Sequence, residues 1–219
     1  MANTTIMNPP PPVAPRKTPL ARHVGFFDPA NTGQITLKQT YEGLVRLGIR
    51  APWRFVLPPI INGFLGYLTQ KRPSLTIAVA RIADGKHPFD SGTFDDNGEI
   101  DSDAFEALFA GVAGDALTVA EMRAVIVRRG NRRRAMGRLA GVLGNWFSGK
   151  EVRLFFCLAA DTTKLENGAL VPAVSRRTLA RFYDGTLLYA LGRRHRMVLA
   201  GIRLGTPPRT RAVLMPKGR

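Results

Sequence analysis

The chain has 219 residues, of which 45% are hydrophobic and 22% charged, so it can bury a sizeable core and global disorder is excluded. Its formal net charge of +16 favours anionic partners such as a membrane face, nucleic acid or acidic small molecules. The single cysteine, Cys157, excludes a disulfide within the chain and fits a reducing compartment. Its place in an apolar run predicts a buried thiol.

The N-terminal segment, residues 1–17, predicts a disordered proline-rich tail, because it contains four consecutive prolines at positions 9–12. It has no apolar core of the kind that a secretory signal peptide requires. We therefore expect a protein that is not secreted.

The first ordered element is predicted to be a helix over residues 18–27 that carries a histidine. Thr18 can cap this helix and Pro19 fits its first turn, while His23 lies beside the apolar stripe. The helix leads into a twelve-residue loop, residues 28–39, with Gly33 at the sixth position, as in an EF-hand. A second helix should follow and end at Gly48.

The most hydrophobic part of the chain, about residues 53–70, predicts a membrane-associating segment. It is shorter than the about 20 apolar residues of a spanning helix, and the Pro58-Pro59 pair should break a helix in its middle. Basic residues flank both ends, and they favour a monotopic insertion or a hairpin over the alternative of a buried core hairpin. The flanking basic residues are Arg50, Arg54, Lys71 and Arg72.

Further helices are predicted along the second half. One covers residues 101–110, one begins at a capping box of Thr118 and Glu121 and runs through Arg128, and one amphipathic helix covers residues 175–191. Residues 193–219 form a basic C-terminal tail. The domain should therefore span residues 18–192.

A weak internal repeat sets the predicted fold class. Gly33-x-Ile35 and Gly98-x-Ile100 each resemble the centre of an EF-hand loop, where an aliphatic residue pairs two loops through a short β-bridge. Leu117 and Leu170 suggest a second pair. We predict a mainly α fold of paired, degenerate EF-hand-like helix–loop–helix lobes, with a short proline-containing membrane-associating hairpin.

The ligand positions of the first loop offer little to calcium. They are Asp28, Thr32, the backbone of Gln34 and Gln39, and only Asp28 is anionic. The bidentate glutamate of an EF-hand is replaced by the neutral amide of Gln39. One carboxylate is too little for tight binding, so we expect a scaffold in place of a calcium sensor.

Taken together, several motifs make the chain resemble the caleosin family of lipid-droplet proteins, which includes haem peroxygenases. Each motif is modest alone, but their order and spacing make a specific match from about residue 18 to residue 191. The motifs are Leu20-x-x-His23-Val24-x-Phe26-Phe27-Asp28, Thr40-Tyr41-x-Gly43, Ile61-Asn62, Gly85-Lys86-His87-x-x-Asp90-Ser91-Gly92, and Phe182-Tyr183-Asp184-Gly185-Thr186-Leu187.

The resemblance implies haem b held by His23 and His87, which would also be the catalytic residues. It implies oxygen transfer from fatty acid hydroperoxides to unsaturated lipid or other acceptors, so it favours an enzyme. It further implies a lipid droplet or membrane location on the cytosolic face, with a lipid monolayer or membrane as partner.

Two alternatives stay open at this point. The chain could be a non-catalytic lipid-droplet or membrane-surface protein that keeps the scaffold and vestigial calcium loops without haem. A nucleic-acid binder ranks lower, because the basic run at residues 128–134 lacks interleaved aromatic residues.

Overall fold

The computed structural model describes residues 18–85, 91–130 and 152–200, which form a helix-rich fold with two small antiparallel sheets. The first described range contains α1 (Pro19–Gly25), β1 (Gln34–Ile35), α2 (Leu37–Arg46), α3 (Trp53–Gln70), β2 (Ile77–Ala78) and a 3-10 helix (Val79–Gly85). The other two contain α4 (Ser102–Glu106), β3 (Ala116–Thr118), α5 (Val119–Gly130), α6 (152–159), β4 (Thr162–Glu166), β5 (Ala169–Ser175), α7 (Arg176–Tyr183) and α8 (Leu187–Leu199).

The predicted helix starts are confirmed by their caps. The Thr18 hydroxyl accepts a hydrogen bond from the Ala21 N–H at the start of α1. At the start of α5 the Thr118 N–H donates to the Glu121 carboxylate, and the Glu121 N–H donates back to the Thr118 hydroxyl. These reciprocal bonds satisfy N–H groups that a helix leaves without internal acceptors.

The predicted pairing of Ile35 with Ile100 is wrong. Ile35 pairs with Ile77 in the sheet β1–β2, whereas Ile100 bridges to Phe94 within its own loop. In the other sheet, Leu117 pairs with Val174 of β5, and β5 also pairs with β4. The sequence pattern identified residues suited to a bridge, but it held no information on which partner each would take.

The predicted hairpin at residues 53–70 is also wrong, because α3 continues through Pro58 and Pro59. A proline inside a helix costs about 3 kcal/mol because it lacks an N–H donor and its ring crowds the preceding turn. Polar groups beyond the prolines compensate. The Asn62 amide donates to the Ile35 and Leu75 carbonyls, and the Thr69 hydroxyl accepts from the Ala78 N–H.

The amphipathic helix predicted over residues 175–191 is interrupted. Its start is confirmed, since Ser175 caps α7, but α7 ends at Tyr183 and a separate helix, α8, begins at Leu187. Gly185 lies in the intervening turn with φ +79°, a value that no residue of a right-handed helix has. Helix α8 continues to Leu199.

Three apolar clusters hold the fold. The largest joins α4, β3, α5, α6, β5 and α7, with Leu108, Leu117 and Val174 fully buried. A second joins α2 to α8 through residues such as Leu44 and Leu188, and a third surrounds the sheet β1–β2. Packing of α1 on α7 and of α2 on α8 connects the first described range to the last.

Cys157, predicted to be buried, is exposed because the buried residue at that point of α6 is its neighbour Phe156.

Candidate functional site

His23 lies on α1 where that helix packs against the end of α7. Its Nδ1 is 3.3 Å from the backbone carbonyl oxygen of Phe182, and its ring meets the Phe182 ring edge-on with centroids 4.7 Å apart. Because a carbonyl only accepts, the neutral imidazole makes this bond with its proton on Nδ1. The Nε2 lone pair is then left to bind another group.

The environment of His23 keeps the imidazole neutral. Burial lowers the pKa of His23 from 6.5 to about 4, and the hydrogen bond to the Phe182 carbonyl offsets only part of this effect. His23 as a residue is half-buried, and its Nδ1 edge faces the end of α7. A neutral imidazole is the form that ligates a metal.

Aromatic rings continue from His23 into the largest core cluster. The Phe182 ring contacts the rings of Phe155 and Tyr183, at centroid distances of 4.7 and 5.3 Å. Tyr183 in turn contacts Phe94 and Phe105. His23 therefore adjoins the aromatic part of the largest core cluster.

The other predicted site residue, His87, lies outside the described residues, so the pairing of His23 with His87 is untested. His195, which had no support as a site residue, is partly buried on α8, and its ring lies against Gly48. Of the two predicted haem ligands, only His23 lies within the described residues, and its role as a ligand stays a prediction. Its neutral ring, engaged Nδ1 and unprotonated Nε2 fit the requirements of a haem ligand.

The first loop is closed by its own hydrogen bonds. The Asp28 carboxylate accepts from the N–H and hydroxyl of Thr32, both at 2.9 Å, and from the Gly33 N–H at 2.8 Å. The same hydroxyl oxygen lies 3.0 Å from the Gln34 carbonyl oxygen, so its single hydrogen is shared between the two acceptors, although this carbonyl is the one an EF-hand turns towards calcium.

Gln39 completes the closure and makes the loop unsuitable for a cation. Its amide oxygen accepts from the Thr36 N–H, and its Nε2 amide group donates to Asp28 at 3.4 Å. A hydrogen-bond donor therefore points at the only carboxylate of the set. Within the described ranges, no group of three or more His, Cys, Asp or Glu side chains could hold a metal ion. With one carboxylate and a neutral amide at its twelfth position, this loop has a donor set that does not fit tight calcium binding.

Helix α3 buries two polar side chains and also exposes a row of apolar ones. Its buried positions are Pro58, Asn62, Gly66 and Thr69, which contact the sheet β1–β2 and the loop before β2. On the opposite face Trp53, Val56, Ile60 and Tyr67 are exposed by 39–56%. We call these four residues the outer stripe. Among the residues described, no helix has both the length and the apolar character to cross a membrane.

Asn62 is the polar anchor of α3, and sequence reasoning noted it only as part of a motif. It is fully buried and makes three hydrogen bonds, accepting from the Thr40 hydroxyl and donating to the carbonyls of Ile35 and Leu75. The contact of Phe182 with His23 was also missed. The only sequence signal was that both residues lie in motifs of the same family.

Comparison with known proteins agrees with the motif-based assignment. A family profile described as caleosin related protein matches residues 15–192. The chain is 29% identical over 181 residues to a protein of Arabidopsis thaliana named probable peroxygenase 4, covering 78% of this chain and 84% of that protein. It is 28% identical over 184 residues to a peroxygenase of Lilium longiflorum, covering 78% and 69% respectively. No solved structure matches.

Proposed function

Since the chain belongs to the caleosin family, we propose that it is a lipid-associated haem peroxygenase in which His23 would hold the haem iron. The observation that carries this proposal is the state of His23, a neutral imidazole whose Nδ1 is engaged by the Phe182 carbonyl and whose Nε2 remains for the metal. The names of the relatives in Arabidopsis thaliana and Lilium longiflorum give the reaction class.

Haem, when bound, supplies the redox chemistry that cleaves the O–O bond of a hydroperoxide and delivers one oxygen atom to an acceptor. The chain supplies the ligand, the orientation and the surroundings. His23 would hold the haem through its Nε2 lone pair, and the Phe182 carbonyl orients the imidazole through its Nδ1. His87 is proposed as the second haem-site residue and as the acid–base catalyst acting on the peroxide.

The outer stripe of α3 supports a lipid surface as the partner. An exposed row of Trp, Val, Ile and Tyr side chains is costly in water, and it is stabilised when the helix lies in the interface of a monolayer or bilayer. Exposed cations at both ends of α3, Arg50, Lys71 and Arg72, are placed to meet anionic headgroups. Fatty acid hydroperoxides and unsaturated acceptors would reach the site from this lipid, on a droplet or on the cytosolic face of a membrane.

Calcium has no part in this proposal. We infer that α1–β1–α2 and its counterparts in the second half are EF-hand-like units kept as scaffold. Hydrogen bonds of Gln39 and Thr32 now stabilise the first loop where an ion would otherwise do so.

The test of the reaction is oxygen-isotope transfer. Purified protein supplied with haem would receive a fatty acid hydroperoxide labelled with ¹⁸O in the peroxide group, together with an unsaturated fatty acid. Mass spectrometry should find the label in an epoxide product, with the hydroperoxide reduced to its alcohol. Haem binding without label transfer would contradict the peroxygenase assignment. Vesicle binding without haem binding would instead favour the non-catalytic lipid-surface protein.

A further inference from the structure

The turn between α7 and α8 makes two hydrogen bonds to α1. The Phe182 carbonyl accepts from His23 Nδ1 at 3.3 Å, and the Asp184 carbonyl accepts from Arg22 Nη1 at 2.9 Å. Both carbonyls belong to the C-terminal end of α7, where carbonyl groups have lone pairs left to accept from outside the helix. Adjacent residues of α1 thus bind the end of α7 at two points.

Gly185 allows this close approach. A Cβ at this position would lie 2.6 Å from the His23 backbone nitrogen and 2.8 Å from the Pro19 carbonyl oxygen, with φ at +79°. Both atoms belong to the backbone of α1, so neither can move aside as the end of a flexible side chain could. Any side chain at residue 185 must push the turn away from α1. The Phe182 carbonyl, three residues earlier, would then separate from His23.

The carbonyl imposes one of the two neutral forms of the imidazole. With the proton on Nδ1 the ring donates to Phe182, whereas the other tautomer would bring the Nδ1 lone pair against the carbonyl oxygen. The Gly185 N–H donates to the same carbonyl at 3.2 Å and so holds it in the turn. The turn therefore decides which ring nitrogen of His23 has the free lone pair.

We infer that the turn of Phe182, Asp184 and Gly185 is a positioning device for His23, which fixes the tautomer with Nε2 free before any haem arrives. The inference deepens the proposed function, and its relevance to catalysis rests on that function. Phe182 and Gly185 are positioning residues, because they act on the haem site only through the imidazole.

The first experiment determines the tautomer in the haem-free, full-length protein. Histidine is labelled with ¹⁵N, and long-range proton–nitrogen NMR spectra distinguish a protonated Nδ1 from a protonated Nε2. The His23 signals are assigned by their loss in His23→Val. At pH 7 we expect the Nδ1-protonated tautomer for His23. Protonation on Nε2, or rapid exchange between the two forms, would overturn the inference.

Substitution of Gly185 tests the cause, with Gly168 as the matched control. Gly168 also has a positive φ, +79°, but a Cβ there would meet no atom within 4 Å. Both alanine variants therefore bear the same backbone cost, and only Gly185→Ala should disturb the His23 tautomer. Arg22→Met removes the second hydrogen bond to the turn and should shift the tautomer population in the same direction. This variant replaces Gly185→Ala as the test if Gly185→Ala does not fold. An unchanged tautomer in the folded Gly185→Ala protein, or in Arg22→Met where Gly185→Ala does not fold, would overturn the inference.

Haem titration then separates this inference from the proposed function. Loss of an orienting partner typically weakens metal binding by about 10–100-fold, so the haem Kd of Gly185→Ala should rise by at least about tenfold while that of Gly168→Ala stays unchanged. If neither the unmodified chain nor any variant binds haem, the proposed function fails, but the tautomer result stands. If haem binds through His23 and its affinity is the same in both glycine variants, the positioning role fails and the proposed function stands.

Discussion

His23 is neutral, and its surroundings include Phe182, a residue far away in sequence. Asp28 is saturated with hydrogen bonds from residues of its own loop. The imidazole lies at the contact of α1 with α7, and the carboxylate accepts from Thr32, Gly33 and Gln39. The sequence placed His23 beside the apolar stripe of its helix but could not reveal Phe182, which is 159 residues away. The sequence did reveal the poor ligand set of the loop, because all of its ligand positions lie within one twelve-residue segment.

The depressed pKa of His23 predicts a pH dependence of stability. The unfolded imidazole takes up a proton near pH 6.5, but the folded one does so only near pH 4, so the unfolded state gains stability as the pH falls through this interval. The loss from this one group is at most about 3 kcal/mol, and it levels off below the folded pKa. Urea unfolding at pH 7 and pH 4.5 should show a smaller loss for His23→Val than for the unmodified chain. Equal losses in both proteins would contradict the assigned pKa.

Substitution of Gln39 by glutamate should make the first loop respond to calcium. Without divalent ions, a second carboxylate beside Asp28 lowers the free energy of unfolding by roughly 1–2 kcal/mol through like-charge repulsion. Calcium should recover this loss in Gln39→Glu and leave the unmodified chain unchanged. Thermal melting in chelator and in millimolar calcium measures both effects.

Gln70→Glu is the matched control, because it introduces the same charge at an amide that donates to a backbone carbonyl, Thr76, and not to a carboxylate. A calcium-dependent rise in the melting temperature of the unmodified chain that Asp28→Ala abolishes would contradict the metal-free loop.

Helix α3 shows how an element can depart from its sequence pattern. The sequence suggested a hairpin because two prolines interrupt an apolar run, but the deciding contacts are made by Asn62 and Thr69 with β1, β2 and the loop before β2. Apolar length alone could not show that Asn62 and Thr69 lie on the buried face. The capping boxes, by contrast, were predictable because Thr118 and Glu121 act within one turn.

The buried amide of Asn62 should be a major determinant of stability. Asn62→Leu keeps a branched side chain and does not lower helix propensity, yet it leaves the Ile35 and Leu75 carbonyls and the Thr40 hydroxyl without this partner. Each unsatisfied buried group costs about 1–3 kcal/mol, so a total loss of about 3 kcal/mol or more is expected from urea unfolding. Asn97→Leu, at an exposed residue, should cost less than about 1 kcal/mol. A comparable loss in the two variants would rule out the anchoring role.

The outer stripe should mediate binding to lipid. The double variant Val56→Gln and Ile60→Gln removes its apolar centre at exposed positions, so it should weaken vesicle binding at least tenfold without lowering the melting temperature. Leu165→Gln with Leu170→Gln is the matched control, because these residues are also exposed, by 68% and 71%, but lie on the β4–β5 hairpin. Sedimentation with vesicles containing anionic lipid measures the binding. Equal weakening in the two double variants would assign lipid binding to general hydrophobicity.

At the scale of the whole molecule, the contacts of α1 with α7 and of α2 with α8 bring the two ends of the described chain together. The environment of His23 depends on the contact between α1 and α7. Helix α3, within residues 18–85, exposes its outer stripe. The family and the helix-rich class were predictable because the motifs occur in a fixed order. The pairing of the strands and the turn at Gly185 were not, because they depend on contacts between segments far apart in sequence.

The central claim is that His23 holds haem, and the absorbance spectrum of the full-length protein supplied with haem tests it most directly. We expect a Soret band in the unmodified chain and in His195→Val, whose histidine lies against Gly48 on α8, and we expect His23→Val to lose or shift that band. Circular dichroism would verify that each variant is folded. A Soret band that His23→Val leaves unchanged, or no band in the unmodified chain, would contradict the account.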